Sequence, residues 1–207
     1  MTYFITGTDT NVGKTVVSAW LVHHLKATYW KPIQSGIEEG RDRDIVKKLS
    51  NCQDTNVIES CYEFKAPLSP HQAAQLEGTT IELDPILSTY KTRHHQHQPL
   101  IIEGAGGLMV PLNEKHLMID LIQGLNVPAI LVARTSLGTL NHTLLSLEAL
   151  RNRAIPLAGV IAVGEENISN LLSIEQYGHT PILAHIPLLS ALCYESLSTI
   201  QFRKTLC

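Results

Sequence analysis

The residues best suited to chemistry stand near the start of the chain. There an apolar run leads into Gly7-Thr8-Asp9-Thr10-Asn11-Val12-Gly13-Lys14-Thr15 and then into a segment with helical periodicity. A strand, a glycine-bearing loop and a helix in that order let backbone N–H groups and the positive end of a helix hold a phosphate. Against the pattern G-x-x-x-x-G-K-[ST], Gly13, Lys14 and Thr15 match, Thr8 stands in the first glycine position and Gly7 lies one place early. The binding parts are nevertheless all present: a glycine beside the phosphates, Lys14 for the β/γ oxygens, the Thr15 hydroxyl for Mg²⁺, and the free N–H groups of the first helical turn. A lysine in that turn meets the positive end of the helix dipole, which is unfavourable unless an anion sits there. The plain alternative is a glycine-rich turn closing a strand–helix unit, with Lys14 solvated.

Phosphoryl chemistry also needs carboxylates to hold a metal. Glu103 ends the apolar run Leu100-Ile101-Ile102 and precedes Gly104-Ala105-Gly106-Gly107, so it should emerge at a strand's carboxyl end, where open parallel sheets bind ligands. Asp44, in Arg41-Asp42-Arg43-Asp44, is a second candidate, although an acid there also reads as a helix-start cap. Lys31 and Ser35 lie in Trp30-Lys31-Pro32-Ile33-Gln34-Ser35-Gly36, a second strand whose end should border the same crevice. On spacing alone, Lys31 reads equally well as an ordinary surface lysine.

The elements that must position these residues alternate along the chain. Aliphatic runs over 2–6, 29–32, 100–103, 129–133, 158–163 and 182–186 predict strands. Helical spacing predicts helices over 14–26, 42–49, 71–75, 82–94, 116–124, 139–152, 168–177 and, weakly, 195–204. Pro99, Pro128, Pro156 and Pro181 each stand just ahead of an apolar run, where a helix must stop and a missing N–H matters least. Continuously apolar strands are covered on both faces. The expected fold class is therefore α/β, a mostly parallel sheet with helices on both faces, and the 207 residues predict one domain over 1–207.

Composition narrows the function. Charged residues are 17%, hydrophobic residues 44% and the net charge is −3, which excludes intrinsic disorder and any broad basic footprint for nucleic acid. Aromatics at 5% leave few platforms on which bases could stack. No run approaches the roughly 20 apolar residues of a membrane span, and the N-terminus has no signal-peptide pattern, so a cytoplasmic location is expected. Cys52, Cys61, Cys193 and Cys207 show no metal-site spacing and read as reduced thiols. The tract His94-His95-Gln96-His97 reads as a solvated helix C-terminus in preference to a metal site.

Taken together, these segments resemble the dethiobiotin synthase family of the biotin pathway. The resemblance runs almost end to end: GTDTNVGKT, WKPIQSG, the stretch from Ala66-Pro67-Leu68-Ser69-Pro70-His71 to Glu77-Gly78, IIEGAGGLMVPL, RTSLGTLNH, LAGVIA and HIPLL. It implies a P-loop NTPase-like fold and ATP- and Mg²⁺-dependent closure of a cyclic urea on 7,8-diaminononanoate with CO₂, through a carbamate and its mixed anhydride with phosphate. It assigns the metal to Thr15, Asp44 and Glu103, catalysis to Lys14, Lys31 and Thr10, and the diamine or its carbamate to Thr10, Lys31 and Ser35. Asn11, Val12, Gly13, Lys14, Thr15 and Val16 would cradle the phosphates, with Gly104, Ala105 and Gly106 beside the nucleotide. It also implies a homodimer in which the substrate tail reaches the neighbouring subunit at Leu137, Gly138, Thr139, Leu140 and Asn141. A helix start there could bind a carboxylate through free N–H groups, although the segment by itself reads as a plain strand–helix turn.

Val163 and Gly164 stand where the family commonly carries an adenine-reading asparagine. Backbone groups around Pro187, Leu188 and Leu189, or Asn167, could read the base instead, or selectivity could be relaxed toward other purines. Glu195 is the candidate ribose contact. Two alternatives share the expected fold: a partition or cell-division switch ATPase, against which Asp9 stands where those proteins carry an early second lysine, and a small-molecule kinase. A slightly positive mean hydropathy of +0.05 fits some apolar surface in a dimer interface.

Overall fold

The computed structural model describes residues 1–94 and 96–206. Seven parallel strands form the main sheet, in the order β4 (Val57–Ile58), β2 (Thr28–Trp30), β6 (Leu100–Gly107), β1 (Thr2–Gly7), β7 (Ala129–Arg134), β8 (Leu157–Val163) and β9 (Ile182–Ile186). β1, and β7 up to Ala133, are buried at every residue, as continuously apolar strands require. Helices α1 (Lys14–Leu25) and α2 (Asp42–Ser50) cover the face carrying Tyr3, Ile5, Tyr29 and Ile101. Helices α4 (Leu83–Arg93), α5 (Met118–Leu125), α6 (Thr139–Asn152) and α7 (Ile168–Gly178) cover the face carrying Phe4, Ile102 and Leu131.

The chain leaves β1 through α1 to β2, but β6 inserts between those two strands, with Ile5 opposite Glu103 and Trp30 opposite Ile102. Strand order therefore changes direction at the carboxyl ends of β1 and β6, where an open sheet leaves a crevice. The loop after β1, over residues 8–13, and Glu103 both reach that crevice.

Several boundaries depart from the sequence expectation. The strand expected over 29–32 divides at Pro32, which has no N–H for the ladder. Its first part is β2, and beyond it β3 (Ile33–Ser35) leaves the main sheet to pair with β5 (Tyr62–Phe64) in a two-stranded parallel sheet. The Pro32 carbonyl accepts from the N–H groups of Cys61 and Tyr62, which starts that pairing. Strands β3, β4 and β5 are too short to show periodicity. The helix expected over 116–124 begins only at Met118, because the Leu112 N–H bonds the His116 carbonyl in a tight loop ahead of it. α3 spans Pro70–Leu76, and the last helix shrinks to α8 (Tyr194–Ser198). Beyond α8 the Ile200 carbonyl accepts from Trp20 Nε1 at 2.9 Å and Phe202 packs on the same ring, contacts that take this segment out of helical register.

No helix among the described residues is long and apolar enough to cross a membrane. Cys52, Cys61 and Cys193 are free thiols, while Cys207 lies outside the described residues. Of the histidine tract, His94 caps α4 and stacks on Tyr90 with ring centroids 4.7 Å apart; His95 lies outside the described residues.

Candidate active site

The loop after β1 turns through left-handed backbone at Asn11 and Gly13. Gly13 caps α1 at φ 98°, a conformation that favours glycine, and a β-carbon there would stand a tight 3.0 Å from Val163 Cγ1. Lys14, 7% exposed, folds back across the loop and donates from Nζ to the Asp9 carbonyl at 3.0 Å. Burial is the main cause that lowers its pKa to about 8; Lys31 adds to the fall, while Glu103, Asp42 and Asp9 oppose it. The Asp9 carboxylate accepts from the Thr10 N–H at 2.7 Å and from Arg134 at 2.6 Å, tying the loop to the end of β7.

Behind the loop lies a compact charged cluster. Glu103 is fully buried, and its Oε1 stands 3.0 Å from both Thr15 Oγ1 and Lys31 Nζ. Its Oε2 accepts from the Tyr29 hydroxyl at 3.0 Å. Lys31 also pairs with Asp42. Burial is the largest influence on Lys31 and would lower its pKa, but the two carboxylates outweigh it and hold the ammonium charged. Burial likewise pushes against ionisation of Asp42, and Lys31 and its hydrogen bonds reverse that, leaving the carboxyl below its ordinary value.

Asp44 is not part of this cluster. Its carboxylate is largely exposed and faces Lys47 at 3.5 Å, whereas Asp42 Oδ1 lies 3.1 Å from Thr15 Oγ1. Residues two apart on a helix point to nearly opposite sides, so only one of the pair can face the crevice. The start of α2 is held in that orientation from outside. Gln34 Oε1 accepts from the Asp42 N–H at 3.2 Å, Arg41 pairs with Glu63 at 3.0 Å, and Arg43 pairs with Glu59. Spacing alone does not point to Asp42, Gln34 or Tyr29; the alternating Arg-Asp-Arg-Asp run is the one signal in the sequence, and it does not say which acid turns inward.

The oxygens of Thr15, Asp42 and Glu103 suit a divalent cation. A hydroxyl has one proton, so Thr15 can donate to only one of the two carboxylate oxygens that stand 3.0 and 3.1 Å away. The result is a hydroxyl oxygen set between two carboxylate oxygens, three hard donors of the kind that Mg²⁺ prefers. Among the described residues no group of three His, Cys, Asp or Glu could hold a metal alone. Mg²⁺ bound with a nucleotide needs only one or two carboxylates, because phosphates and water complete its shell.

A cavity of about 810 Å³ opens over the cluster, lined by Thr10, Lys14, Lys31, Ser35, Glu103 and the wall formed by 67–70. The Ser35 hydroxyl is buried there with no partner among the described residues. Val16, Ala105 and Gly106 also line it. Gly104 packs behind it, where a β-carbon would meet the Phe4 ring at 2.8 Å. A neighbouring cavity of about 450 Å³ is bounded by Val12, Arg134, Val163, Gly164, Asn167 and Leu188. Pro187, Leu189 and Glu195 do not line it. The Asn167 side chain accepts from the Asn170 N–H at 3.0 Å. Residues 137–141 border neither cavity of their own chain: Leu137 is fully exposed, Gly138 caps α6, Thr139 is buried against the Arg134 carbonyl, and Asn141 is exposed.

A family model described as an AAA domain matches residues 1–196. Two curated relatives are both named ATP-dependent dethiobiotin synthetase. One, from Paramagnetospirillum magneticum, is 50% identical over 91% of this chain and 88% of its own length. The other, from Lawsonia intracellularis, is 45% identical over 100% of this chain and 97% of its own. The chain belongs to the dethiobiotin synthetase family. Among solved structures, a ParA family ATPase from Chlorobium tepidum superposes with a TM-score of 0.59 at 14% identity, covering 97% of this chain and 90% of its own. The MinD cell division protein of Aquifex aeolicus gives 0.58 at 14% identity, covering 95% and 86%. At these identities the likeness is one of fold, and the P-loop NTPase-like sheet is common to all three.

Proposed function

We propose that this synthetase-family chain, working as one domain in the cytoplasm, converts 7,8-diaminononanoate, CO₂ and ATP to dethiobiotin, ADP and phosphate. One amine adds to CO₂ and loses a proton to give a carbamate. A carbamate oxygen then attacks the γ-phosphorus, the bond to ADP breaks, and a carbamoyl phosphate remains. The second amine attacks the carbamoyl carbon, phosphate leaves, and the urea ring closes. The phosphoryl transfer joins two anions and the ring closure expels phosphate from a crowded carbonyl carbon, so positioning and charge neutralisation are what the protein must supply.

The observation that carries this reading is the cluster of Lys14, Lys31, Thr15, Asp42 and Glu103 at the floor of one cavity. Lys14 would reach the β/γ oxygens, and Lys31, held charged between two carboxylates, would neutralise the carbamate and the phosphoryl group in transit. Thr15, Asp42 and Glu103 would hold Mg²⁺, which when bound neutralises the charge shared by the β- and γ-phosphates. Thr10 and the unpartnered Ser35 hydroxyl would orient the amine or its carbamate. The backbone of residues 11–16 would cradle the phosphates, and the smaller cavity would take the nucleoside. Val163 and Gly164 offer it no side-chain amide, so the base would meet backbone groups or the Asn167 side chain. Residues 137–141, which line neither of these cavities in their own chain, would meet the substrate tail bound to a partner subunit in a homodimer.

The direct test is incubation with the diamine, labelled bicarbonate, Mg²⁺ and each nucleoside triphosphate in turn. Labelled cyclic urea that appears only with triphosphate and metal is expected. No labelled product with any nucleotide overturns the reading.

A further inference from the structure

Tyr29 lies outside the phosphate loop and away from the cavity lining, yet it is fully buried and its hydroxyl reaches Glu103 Oε2 at 3.0 Å. The geometry follows from the sheet. On adjacent parallel strands Tyr29 stands opposite Ile101, and Glu103, two residues further on, projects from the same face. A tyrosine is long enough to span that diagonal. Lys31, two residues beyond Tyr29, projects to the same side and reaches the other oxygen of the same carboxylate.

Glu103 thus has its two oxygens sorted. Oε1 is turned to Thr15 and Lys31, and Oε2 is occupied by a phenol that remains protonated at neutral pH. Without the phenol, Oε2 would be a fully buried carboxylate oxygen with no donor, and the group would gain by rotating to share Lys31 or Thr15 between both oxygens. We infer that Tyr29 is a positioning residue: by engaging Oε2 it fixes the rotation of Glu103 and presents Oε1 alone to a divalent cation beside Thr15 and Asp42. This rests on the cation site proposed above.

Partners that orient a metal-binding carboxylate are typically worth roughly 10- to 100-fold in metal affinity. Tyr29→Phe keeps the ring and removes one oxygen. Mn²⁺, read by its electron paramagnetic resonance signal with ADP present, should bind Tyr29→Phe about tenfold more weakly than wild type, while metal-free ADP affinity stays within about twofold. A packing role alone would lower Tm and leave the Mn²⁺ affinity unchanged. Equal Mn²⁺ affinity in a wild-type chain that binds Mn²⁺ overturns the Tyr29 proposal and leaves the cation site standing. A wild-type chain that binds no Mn²⁺ overturns both. Fluorotyrosine placed at position 29 alone gives a reading that does not depend on the variant's folding: its ¹⁹F resonance should shift when Mg²⁺ joins bound ADP, and a resonance that does not move counts against the role.

Discussion

Asp42 and Asp44 share one turn of α2, and the direction of each side chain decides which faces the crevice. Asp42 stands against Thr15 and Lys31, while Asp44 faces Lys47 and water. Removing one preorganised group that stabilises developing charge, such as a single oxyanion-hole donor, typically costs about 100- to 1,000-fold in kcat. Asp42→Ala should therefore lose at least about 100-fold in kcat/KM, and Asp44→Ala should stay within about twofold; initial rates of the two variants, measured side by side, decide it. Lys31→Ala should abolish turnover while far-UV circular dichroism is retained. Its Tm should fall, because Asp42 and Glu103 lose the cation they share. Normal kcat in that variant would remove Lys31 from the reaction.

The elements deliver these residues through their ends. β1 and β6 run side by side, so the phosphate loop and Glu103 arrive together, and Pro32 diverts the chain after Lys31 so that β3 can place Gln34 under the start of α2. The tightest constraint is the turn into α1. Gly13→Ala would combine a left-handed backbone with a β-carbon 3.0 Å from Val163, a strain of about 1–3 kcal/mol. It should shift the urea midpoint downward and weaken ADP binding together, since both depend on the same turn. An unchanged midpoint would show that the turn relaxes freely.

At the scale of the whole molecule, two surfaces extend beyond the crevice. The segment after α8 folds back over α1 and α7. There Glu175 accepts from Lys204 at 2.6 Å and from the Ile182 N–H at 3.0 Å, and these bonds hold its carboxyl below the ordinary glutamate value. A depressed carboxylate stabilises the folded chain above its unfolded pKa and loses that contribution as pH falls through the folded one. The wild-type chain should thus lose part of its stability on acidification below about pH 4.5, the unfolded value. Glu175→Gln should lack that component, as read by thermal melts across pH 3–6. The second surface is the exposed turn around Leu137 at the start of α6. If it serves a partner's substrate, Leu137→Asp should shift light-scattering mass toward the monomer and raise the diamine KM, with ADP affinity unchanged.

Much of this protein could be read from residue order alone. The spacing of Gly13, Lys14 and Thr15 after an apolar strand, the buried run ending in Glu103 and the continuously apolar strands are local patterns, and local patterns carry loop chemistry and sheet class. All six expected strands and eight expected helices have counterparts in the structure; the bounds coincide over 139–152 and 182–186 and shift elsewhere. The choice of Asp42 over Asp44, the departure of β3 to a second sheet, the engagement of Tyr29 with Glu103 and the collapse of the last helix onto Trp20 were decided by tertiary structure. Each depends on which groups meet across strands and helices far apart in the chain. Periodicity says that a residue faces inward, but only the packed neighbours determine what it faces.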